Sequence, residues 1–210
     1  MQVQEMVKQI AWLGHETFRI TGSKTVYFDP FQIASGPKAD VVLVTHAHYD
    51  HCSPEDVARI SGDRTVVVTE KDSAAQLSGD VRTVAPGDKV DVEGVRIEAV
   101  PAYNIGKQFH PKANGWLGFV VEIDGVRVYH AGDSDFIAEM NDIRTDIALL
   151  PVSGTYVMTA DEAVQAALAI GPKIAVPMHY GAIVGGASDA EAFAAALKGR
   201  VEVVVLEKSK

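Results

Sequence analysis

The sequence predicts an α+β protein built as a four-layer αββα sandwich, in which two mixed β-sheets pack face to face and helices cover their outer surfaces. Short β-branched runs recur along the chain and are interleaved with a few capped, amphipathic helices. Each sheet then needs apolar cover on both faces, which two packed sheets with outer helices provide. With 47% hydrophobic residues in 210, the chain can bury one core, so residues 1–210 are expected to form a single domain.

Apolar runs bounded by Gly, Asp or Pro predict the strands. In chain order they cover residues 9–13, 17–21, 25–28, 41–45, 65–68, 89–92, 95–100, 117–123, 126–129, 147–150, 173–176 and 201–206. Asp124-Gly125 separates two of these runs and is typical of a tight hairpin, because both turn positions must tolerate positive φ. The run at 41–45 is continuously apolar and predicts a strand buried on both faces.

Capping residues predict where the helices begin. The starts are Ser53 followed by Pro54, Thr69 with Asp72, Thr159 with Glu162, and Ser188 with Glu191. The last two pairs are capping boxes that open Ala-rich amphipathic stretches ending at Gly171-Pro172 and Gly199. The helix after Thr69 is expected to be short and to end near Gly79.

Residues 25–44 and residues 127–150 share one pattern: a strand, an acidic loop, an aspartate and an apolar strand. The aspartates are Asp40 and Asp146. Such a repeat indicates two related β-rich halves with outer helices. Related halves would place both acidic loops on the same rim of the molecule.

The balance of charge disfavours a polyanionic partner. The chain has 19 Lys plus Arg against 28 Asp plus Glu, a net charge of -9, so its field should repel nucleic acid and anionic membranes. No apolar run approaches the ~20 residues of a membrane span, and the N-terminus does not resemble a signal peptide. Cys52 is the only cysteine, which excludes an intrachain disulfide and suits a small buried residue. We expect a cytoplasmic protein.

Potential metal ligands follow directly after the strand at 41–45. They are His46, His48, Asp50 and His51. On an extended or turning backbone His46 and His48 point to the same side and can share one cation, whereas Asp50 and His51 can reach a second. These ligand types suit zinc, with manganese, iron or nickel as alternatives. A His-rich surface loop is the competing interpretation, which the position between a buried strand and a capped helix disfavours.

This run has the form His-x-His-x-Asp-His, and the sequence resembles the metallo-β-lactamase superfamily from Gly14-His15 to His179-Tyr180-Gly181. Within that superfamily it looks closest to the small lactonase-like branch related to L-ascorbate 6-phosphate lactonase. The resemblance implies the metallo-hydrolase/oxidoreductase fold, which is the αββα sandwich predicted above. It also implies a hydrolase with two divalent metal ions in one centre.

The resemblance implies a role for each ligand. His46, His48 and a third histidine would bind the first metal ion, and Asp50, His51 and a last histidine would bind the second. Asp133, which follows a glycine at a strand end, matches the aspartate that bridges both ions. His179, after the strand at 173–176, matches the last histidine.

The third histidine has two candidates. His110 precedes the segment Gly115-Trp116-Leu117-Gly118-Phe119 and then the strand that leads to Asp133, which is the best match to the family. His130 is closer to Asp133 in sequence and is the rival. We expect His110 to be the ligand and His130 to pack behind the ligands.

Further residues are candidates for support or substrate contact. Asp29 matches an early aspartate that supports the metal loops in the family, with a turn residue before Pro30 as an equal alternative. His15 resembles a Gly-His pair of the branch, and either lines the cleft or is structural. Asn104 and Tyr156 lie in loops after strands, where they either contact substrate or pack their own loops.

Two close divalent ions would lower the pKa of a bridging water and supply hydroxide for attack on a carbonyl carbon or a phosphorus atom. The resemblance implies that Asp50 also orients this nucleophile and passes a proton to the leaving group. We therefore expect a dinuclear hydrolase that cleaves an ester, lactone or related bond of a small molecule. The alternatives are a phosphodiesterase or nuclease on the same scaffold, a di-iron redox protein and a non-catalytic metal-binding domain. The acidic charge disfavours the first, and His48 disfavours the second, whose relatives have Glu there.

Overall fold

The computed structural model describes residues 1–209, and its strands form two mixed sheets. The first sheet has six strands, which are neighbours in the order of the sequence: β1 (Ile10–Gly14), β2 (Thr17–Thr21), β3 (Thr25–Phe28), β4 (Val41–Val44), β5 (Val66–Thr69) and β6 (Asp80–Thr83). β1 to β3 are antiparallel, and β3 to β6 run parallel to one another.

The second sheet has seven strands, again in sequence order: β7 (Lys89–Val92), β8 (Val95–Pro101), β9 (Leu117–Ile123), β10 (Val126–His130), β11 (Ile147–Pro151), β12 (Ile174–Met178) and β13 (Glu202–Val203). β7 to β10 are antiparallel, and β10 to β13 are parallel. Asp124 and Gly125 join β9 to β10 with φ of 53° and 77°, as the hairpin prediction required.

The helices of the described residues are α1 (Val3–Lys8), α2 (Pro54–Ile60), α3 (Lys71–Ala74), α4 (Ala160–Ile170) and α5 (Ala187–Leu197). Short 3₁₀ turns cover Lys112–Asn114 and Ala138–Asp142. Ser53 caps α2 through the backbone N–H of Asp56, and Thr159 forms the predicted capping box of α4 with Glu162. Within residues 1–209, no helix has the length and apolar character needed to cross a membrane.

Two apolar clusters define the layers. The larger lies between the sheets, where Phe18 of the first sheet and Phe119 of the second are buried, and it continues outward to Phe193 of α5. The smaller joins Val42 of β4 to Val57 of α2 on the outer face of the first sheet. Helices therefore cover both sheets, and the predicted four-layer αββα sandwich is confirmed.

The predicted starts of two helices were wrong. Thr69 does not cap α3, because its hydroxyl donates to Val44 O at 2.8 Å; Glu70 accepts from the N–H of Asp72 and of Ser73 at 2.6 Å instead. Ser188 does not cap α5 either. That helix begins at Ala187, and the N–H of Gly186 donates to Asp189 at 2.8 Å.

Other differences concern short or exposed elements. β6 and α1 were not predicted, because the mixed polar sequence of each lacks a clear apolar period. The strand predicted at 201–206 shortens to the two residues of β13, at the edge of the second sheet. These elements lie away from the ligand loops.

The two sheets repeat one hydrogen-bonding arrangement. Asp40 precedes β4; its N–H donates to Thr25 O at 2.9 Å and its Oδ2 accepts from Thr25 N at 2.7 Å. Asp146 precedes β11; its N–H donates to Arg127 O at 2.9 Å and its Oδ2 accepts from Arg127 N at 3.0 Å. The same contact thus joins the parallel pairs β3–β4 and β10–β11, in agreement with the predicted repeat of two halves.

Candidate metal centre

Asp29, the residue after β3, ties the first ligand loop to the sheet. It is fully buried, with a φ of 41°. Its Oδ1 accepts from Thr45 N and its Oδ2 from Thr45 Oγ1, both at 2.7 Å. The same Oδ2 accepts from His51 Nδ1 at 2.8 Å. Asp29 therefore holds both ends of the segment 45–51, which is more than the turn before Pro30 requires.

His46, His48 and His110 form the first group, with one nitrogen of each within 4.8 Å of the others. His46 Nε2 and His48 Nδ1 face each other at 3.0 Å. The Thr45 hydroxyl donates to Asp29, so it accepts from His46 Nδ1 at 3.0 Å and leaves Nε2 of that ring free for a metal. The Trp116 ring closes this side, with its centroid 4.7 Å from those of His46 and His48.

Asn104 fixes the orientation of His110. Its Oδ1 accepts from the backbone N–H of His110 at 3.1 Å and from His110 Nδ1 at 3.0 Å. Its Nδ2 donates to Asp135 Oδ1 at 3.1 Å and to Tyr156 O at 2.8 Å. Both ends of this buried amide are engaged within the protein, and its Oδ1 holds the His110 ring in place.

His130 is directed away from the ligands. Its Nε2 donates to the backbone oxygen of Glu16 at 2.9 Å, and its Nδ1 accepts from Gly132 N at 3.2 Å. The ring stacks on Phe28 with centroids 5.0 Å apart, and burial lowers the pKa of His130. His130 is therefore a neutral residue of the core, and the geometry supports His110 as the third histidine.

Asp133 lies between the two groups of ligands. Its Oδ2 is 3.1 Å from His110 Nε2, and its Oδ1 is 3.5 Å from His51 Nε2 and 3.4 Å from His179 Nε2. Gly132 makes this placement possible: its φ is 60°, and a Cβ there would lie 2.6 Å from the backbone oxygen of Leu117. The two carboxylate oxygens thus face different groups, as a bridging ligand requires.

His179 and His15 complete the second group. His179 follows β12 with a φ of 60°, and its Nδ1 lies 2.8 Å from Ser153 Oγ, so Nε2 faces Asp133. The ring of His15 packs against that of His179 at 4.2 Å between centroids. His15 Nε2 donates to Asp50 Oδ2 at 3.1 Å. His15 therefore lines the second group and orients Asp50.

The charges of the cluster match what a cation needs. Burial lowers the pKa of His46 well below its usual range, and nearby His51 adds to the effect, so the imidazole is neutral. Burial alone would raise the pKa of Asp133, but His179 and His51 outweigh it and hold the value well below the usual range. For His51, burial acts to lower the pKa, while Asp133 and Asp29 raise it to about 9. A metal ion would take the place of that proton.

Unsatisfied polar atoms show that a metal fits. Within the described residues, His51 Nε2, His110 Nε2 and Asp133 Oδ1 are buried and have no hydrogen-bond partner. Such atoms are costly unless something binds them, and these converge on one another. Imidazole nitrogens and carboxylate oxygens are the donors that divalent transition metals take. The donor set therefore fits metal ions at this position.

Two further predicted residues, Asp50 and Tyr156, lie on or against the loops that carry the ligands. Asp50 is partly exposed, with Oδ2 3.8 Å from His51 Nε2. Burial alone would raise the pKa of Asp50, but His15 and His51 hold it below its usual value. The ring of Tyr156 packs edge-on against Phe109, the neighbour of His110, at 4.7 Å between centroids. Tyr156 therefore packs on the loop that carries His110.

Sequence reasoning missed Glu16, Ser153 and Asp135. Glu16 is fully buried beside the second group, Ser153 holds His179, and Asp135 holds Asn104. Ser153 and Asp135 gave no local signal, because their partners are distant in sequence. Glu16 did give one: it is an acid directly after the Gly14-His15 pair, between two apolar strands.

The part of the chain that carries the candidate ligands matches a known protein family. A model of the beta-lactamase superfamily domain matches residues 9–179. The chain belongs to the beta-lactamase superfamily. The matched segment runs from just before β1 to His179, so the superfamily domain includes every candidate ligand.

Relatives of similar sequence and structure agree with this assignment. A UPF0173 metal-dependent hydrolase of Thermoplasma acidophilum is 36% identical over 215 residues, which covers 94% of each chain. Another UPF0173 metal-dependent hydrolase, from Thermococcus kodakarensis, is 35% identical over 219 residues, or 96% of this chain and 97% of the relative. The crystal structure of a candidate metal-dependent hydrolase from Parabacteroides distasonis superposes with a TM-score of 0.85 at 33% identity, covering 95% of this chain and 93% of that one.

Proposed function

We propose that the protein is a metal-dependent hydrolase that uses two divalent ions to cleave an ester or lactone bond of a small molecule. The observation that supports this best is the set of imidazoles around Asp133, each held by a protein group on its other nitrogen. Thr45 holds His46, Asp29 holds His51, Asn104 holds His110 and Ser153 holds His179. Such contacts fix the tautomer and orientation of metal-binding histidines.

The two groups of ligands define two ion positions. The first ion would be held by His46, His48 and His110, the second by Asp50, His51 and His179, and both by Asp133. The first set, with its three imidazoles, favours zinc. The relatives named metal-dependent hydrolases support a metal centre with hydrolytic activity.

Bound divalent ions would supply hydroxide at neutral pH by lowering the pKa of water, and would polarise the bond to be cleaved. Asp50 is placed to move the proton of this reaction, since it lies partly exposed at the mouth and His15 orients it at 3.1 Å. The contacts with His15 and His51 outweigh burial and hold its pKa below the usual value, so it is an ionised acceptor. It can take the proton of the nucleophile and pass it to the leaving group.

Several exposed apolar side chains lie on the loops that carry the ligands. Tyr49, between His48 and Asp50, is 69% exposed. Ile105 and Phe109, in the loop before His110, are 61% and 48% exposed, and Ile183, shortly after His179, is 39% exposed. Exposed apolar side chains on ligand loops mark a surface that binds an apolar part of a substrate.

The lysines of the His110 loop are not free to bind an anionic substrate. Lys107 Nζ lies 2.5 Å from Asp135 Oδ1, and Lys112 Nζ lies 2.7 Å from Glu139 Oε1. With a net charge of -9 and these cations paired, the mouth favours an uncharged ester or lactone over a phosphodiester.

The test is a substrate panel on metal-loaded protein: an aryl acetate, an aryl octanoate, an aliphatic lactone and bis(4-nitrophenyl) phosphate. We expect the octanoate or the lactone to be hydrolysed fastest. The Asp50→Asn variant should still bind metal, while its kcat falls by about 10² to 10⁴, because a positioned proton acceptor contributes that much. Asp63→Asn, which changes an exposed aspartate between α2 and β5, should match wild type.

Each outcome has a defined meaning. Full activity of Asp50→Asn would refute its proposed role. Preference for the phosphate diester would favour the phosphodiesterase alternative, and a metal-loaded protein that hydrolyses none of the probes would refute the proposed reaction.

A further inference from the structure

Glu16 is a buried acid in an unusual place. With His15 it forms the two-residue turn between β1 and β2, and the residues are 1% (His15) and 0% (Glu16) exposed. Turns of this kind normally lie at the surface, where water solvates their polar groups. This turn points into the molecule, and His15 has a φ of 52°, a conformation that side chains rarely favour. Backbone strain of this kind is concentrated at functional sites.

The carboxyl group of Glu16 faces the second group of ligands. One of its oxygens lies within 4.8 Å of ligand atoms of Asp133 and His179, and one lies within the same distance of Asp29 and His51. Its Oε2 is 3.9 Å from His51 Nδ1, but that nitrogen donates to Asp29 at 2.8 Å. In the described part of the chain, neither oxygen of Glu16 has a hydrogen-bond partner.

A buried carboxylate without a partner is strongly unfavourable, and the neighbouring carboxylates of Asp133 and Asp29 add repulsion. Packing alone gives no reason for an acid here, because an apolar side chain would fill the space without this cost. A cation among Asp133, His179 and Glu16 removes the cost.

We propose that Glu16 is a further ligand of the second metal ion and makes that position selective for Mn²⁺ or Fe²⁺. The inference rests on the proposed function, which assigns Asp50, His51, Asp133 and His179 to that ion.

The two positions then differ in chemistry. With Glu16, the second set combines three carboxylates with two imidazoles, whereas the first set has three imidazoles and the shared Asp133. Oxygen-rich sets with five or six ligands suit manganese or iron, and nitrogen-rich sets of four suit zinc. The centre would hold zinc at the first position and a harder ion at the second.

The experiment compares wild type with Glu16→Gln, which keeps the shape and removes the charge. Metal-free protein is titrated with Mn²⁺ and with Zn²⁺, and stoichiometry and Kd are measured for each ion. We expect Mn²⁺ at the second position to bind about 10- to 100-fold more weakly in the variant, while Zn²⁺ at the first position is unchanged. Glu70→Gln is the matched control, because Glu70 is also buried but caps α3.

Cobalt spectra separate a ligand from a residue that acts through Asp133. Loss of a ligand lowers the coordination number of Co²⁺, so the visible absorption of Co²⁺-loaded Glu16→Gln should increase relative to wild type. An unchanged spectrum would overturn ligation by Glu16, even if the affinity fell. An unchanged Mn²⁺ affinity would overturn it as well.

A second variant keeps the inference testable if Glu16→Gln folds poorly. Without metal, Glu16→Leu should have a Tm equal to or above that of wild type, because the unpaired buried acid is gone. On addition of Mn²⁺, its Tm should rise by less than that of wild type. An equal gain would contradict the proposal. If wild type itself bound fewer than about two ions, the proposed dinuclear function would fail first, and this inference with it.

Discussion

Each histidine around Asp133 is oriented through the nitrogen that faces away from the metal position. Asp29 acts on two of them, directly on His51 and through Thr45 on His46. The conformational entropy of these rings is therefore lost when the protein folds and not when metal binds. A centre built in this way should keep its geometry without metal.

His110 and His130 are expected to respond differently to substitution, because only His110 is a proposed metal ligand. His110→Ala should lower the bound metal from about two ions to about one, because it removes a ligand of the first position. His130→Ala should keep both ions but lower the free energy of unfolding by about 2 kcal/mol, because its stacking on Phe28 and its contact with the Glu16 backbone are lost. Metal analysis and denaturant unfolding measure the two effects. A His130 variant that lost an ion while the His110 variant kept both would show the assignment to be wrong.

Among the secondary-structure elements, the candidate ligands, and Asp29 that holds two of their loops' residues, lie where strands end. Asp29 follows β3, His46 follows β4, Asp133 follows β10 and His179 follows β12. Asp40 and Asp146 make equivalent contacts at the other ends of β4 and β11, so each half holds its parallel pair in the same register. Stable strand register in both halves is what brings the ligand loops to one rim.

The contact of Asp146 between β10 and β11 should make stability depend on pH. Burial alone would raise its pKa, but the Arg127 N–H and the Lys173 ammonium outweigh burial and hold the pKa below its usual value. Because the pKa of Asp146 is lower in the folded protein than in the unfolded chain, its ionised carboxylate stabilises the fold above pH ~4. This stabilisation is lost as the pH falls through the pKa of Asp146 in the folded protein. Asp146→Asn should therefore cost about 1 kcal/mol at pH 7, with little difference from wild type near pH 2.

Denaturant unfolding of wild type and Asp146→Asn between pH 2 and pH 7 measures this effect. Asp63→Asn serves as the control, since that side chain is exposed. A difference between Asp146→Asn and wild type that stayed constant over the whole range would mean that the charge of Asp146 is not the cause.

In the molecule as a whole, three buried acids lie together at the candidate metal centre. Asp29, Asp133 and Glu16 are almost inaccessible to solvent, and Asp50 lies next to them. Their repulsion opposes folding in the absence of metal, and bound divalent ions would reverse it. Metal and fold should therefore be thermodynamically linked.

Removal of metal tests this linkage. At metal concentrations about 100-fold above Kd, each bound ion adds about 2.7 kcal/mol, so removal of two ions by a chelator should lower Tm by roughly 10 to 20 °C for a chain of this size. Calorimetry with and without chelator measures the shift, and added Zn²⁺ and Mn²⁺ should restore the original value. A Tm that did not respond to chelator or to added metal would contradict a metal centre in this cluster.

Most strands, the caps of α2 and α4, the hairpin at Asp124-Gly125 and the sandwich were predictable from the amino-acid sequence. The strands, caps and hairpin depend on residues within a few positions of one another, so a local pattern is enough to predict them, and the sandwich follows from the succession of these elements. The motif from His46 to His51 was equally readable, because its spacing alone indicates metal chemistry. Whether these residues bind metal stays a prediction.

The contacts between residues that are distant in sequence became visible only in the folded structure. His130 was removed from the ligands by a contact with Glu16, 114 positions away, and Asn104 was assigned to His110 through Asp135 and Tyr156. The burial of the turn at His15 and Glu16 could not be predicted from the sequence either, because a charged turn residue is normally expected at the surface. Side-chain contacts between separate loops depend on how the two sheets pack, and short-range patterns in the sequence do not determine that packing.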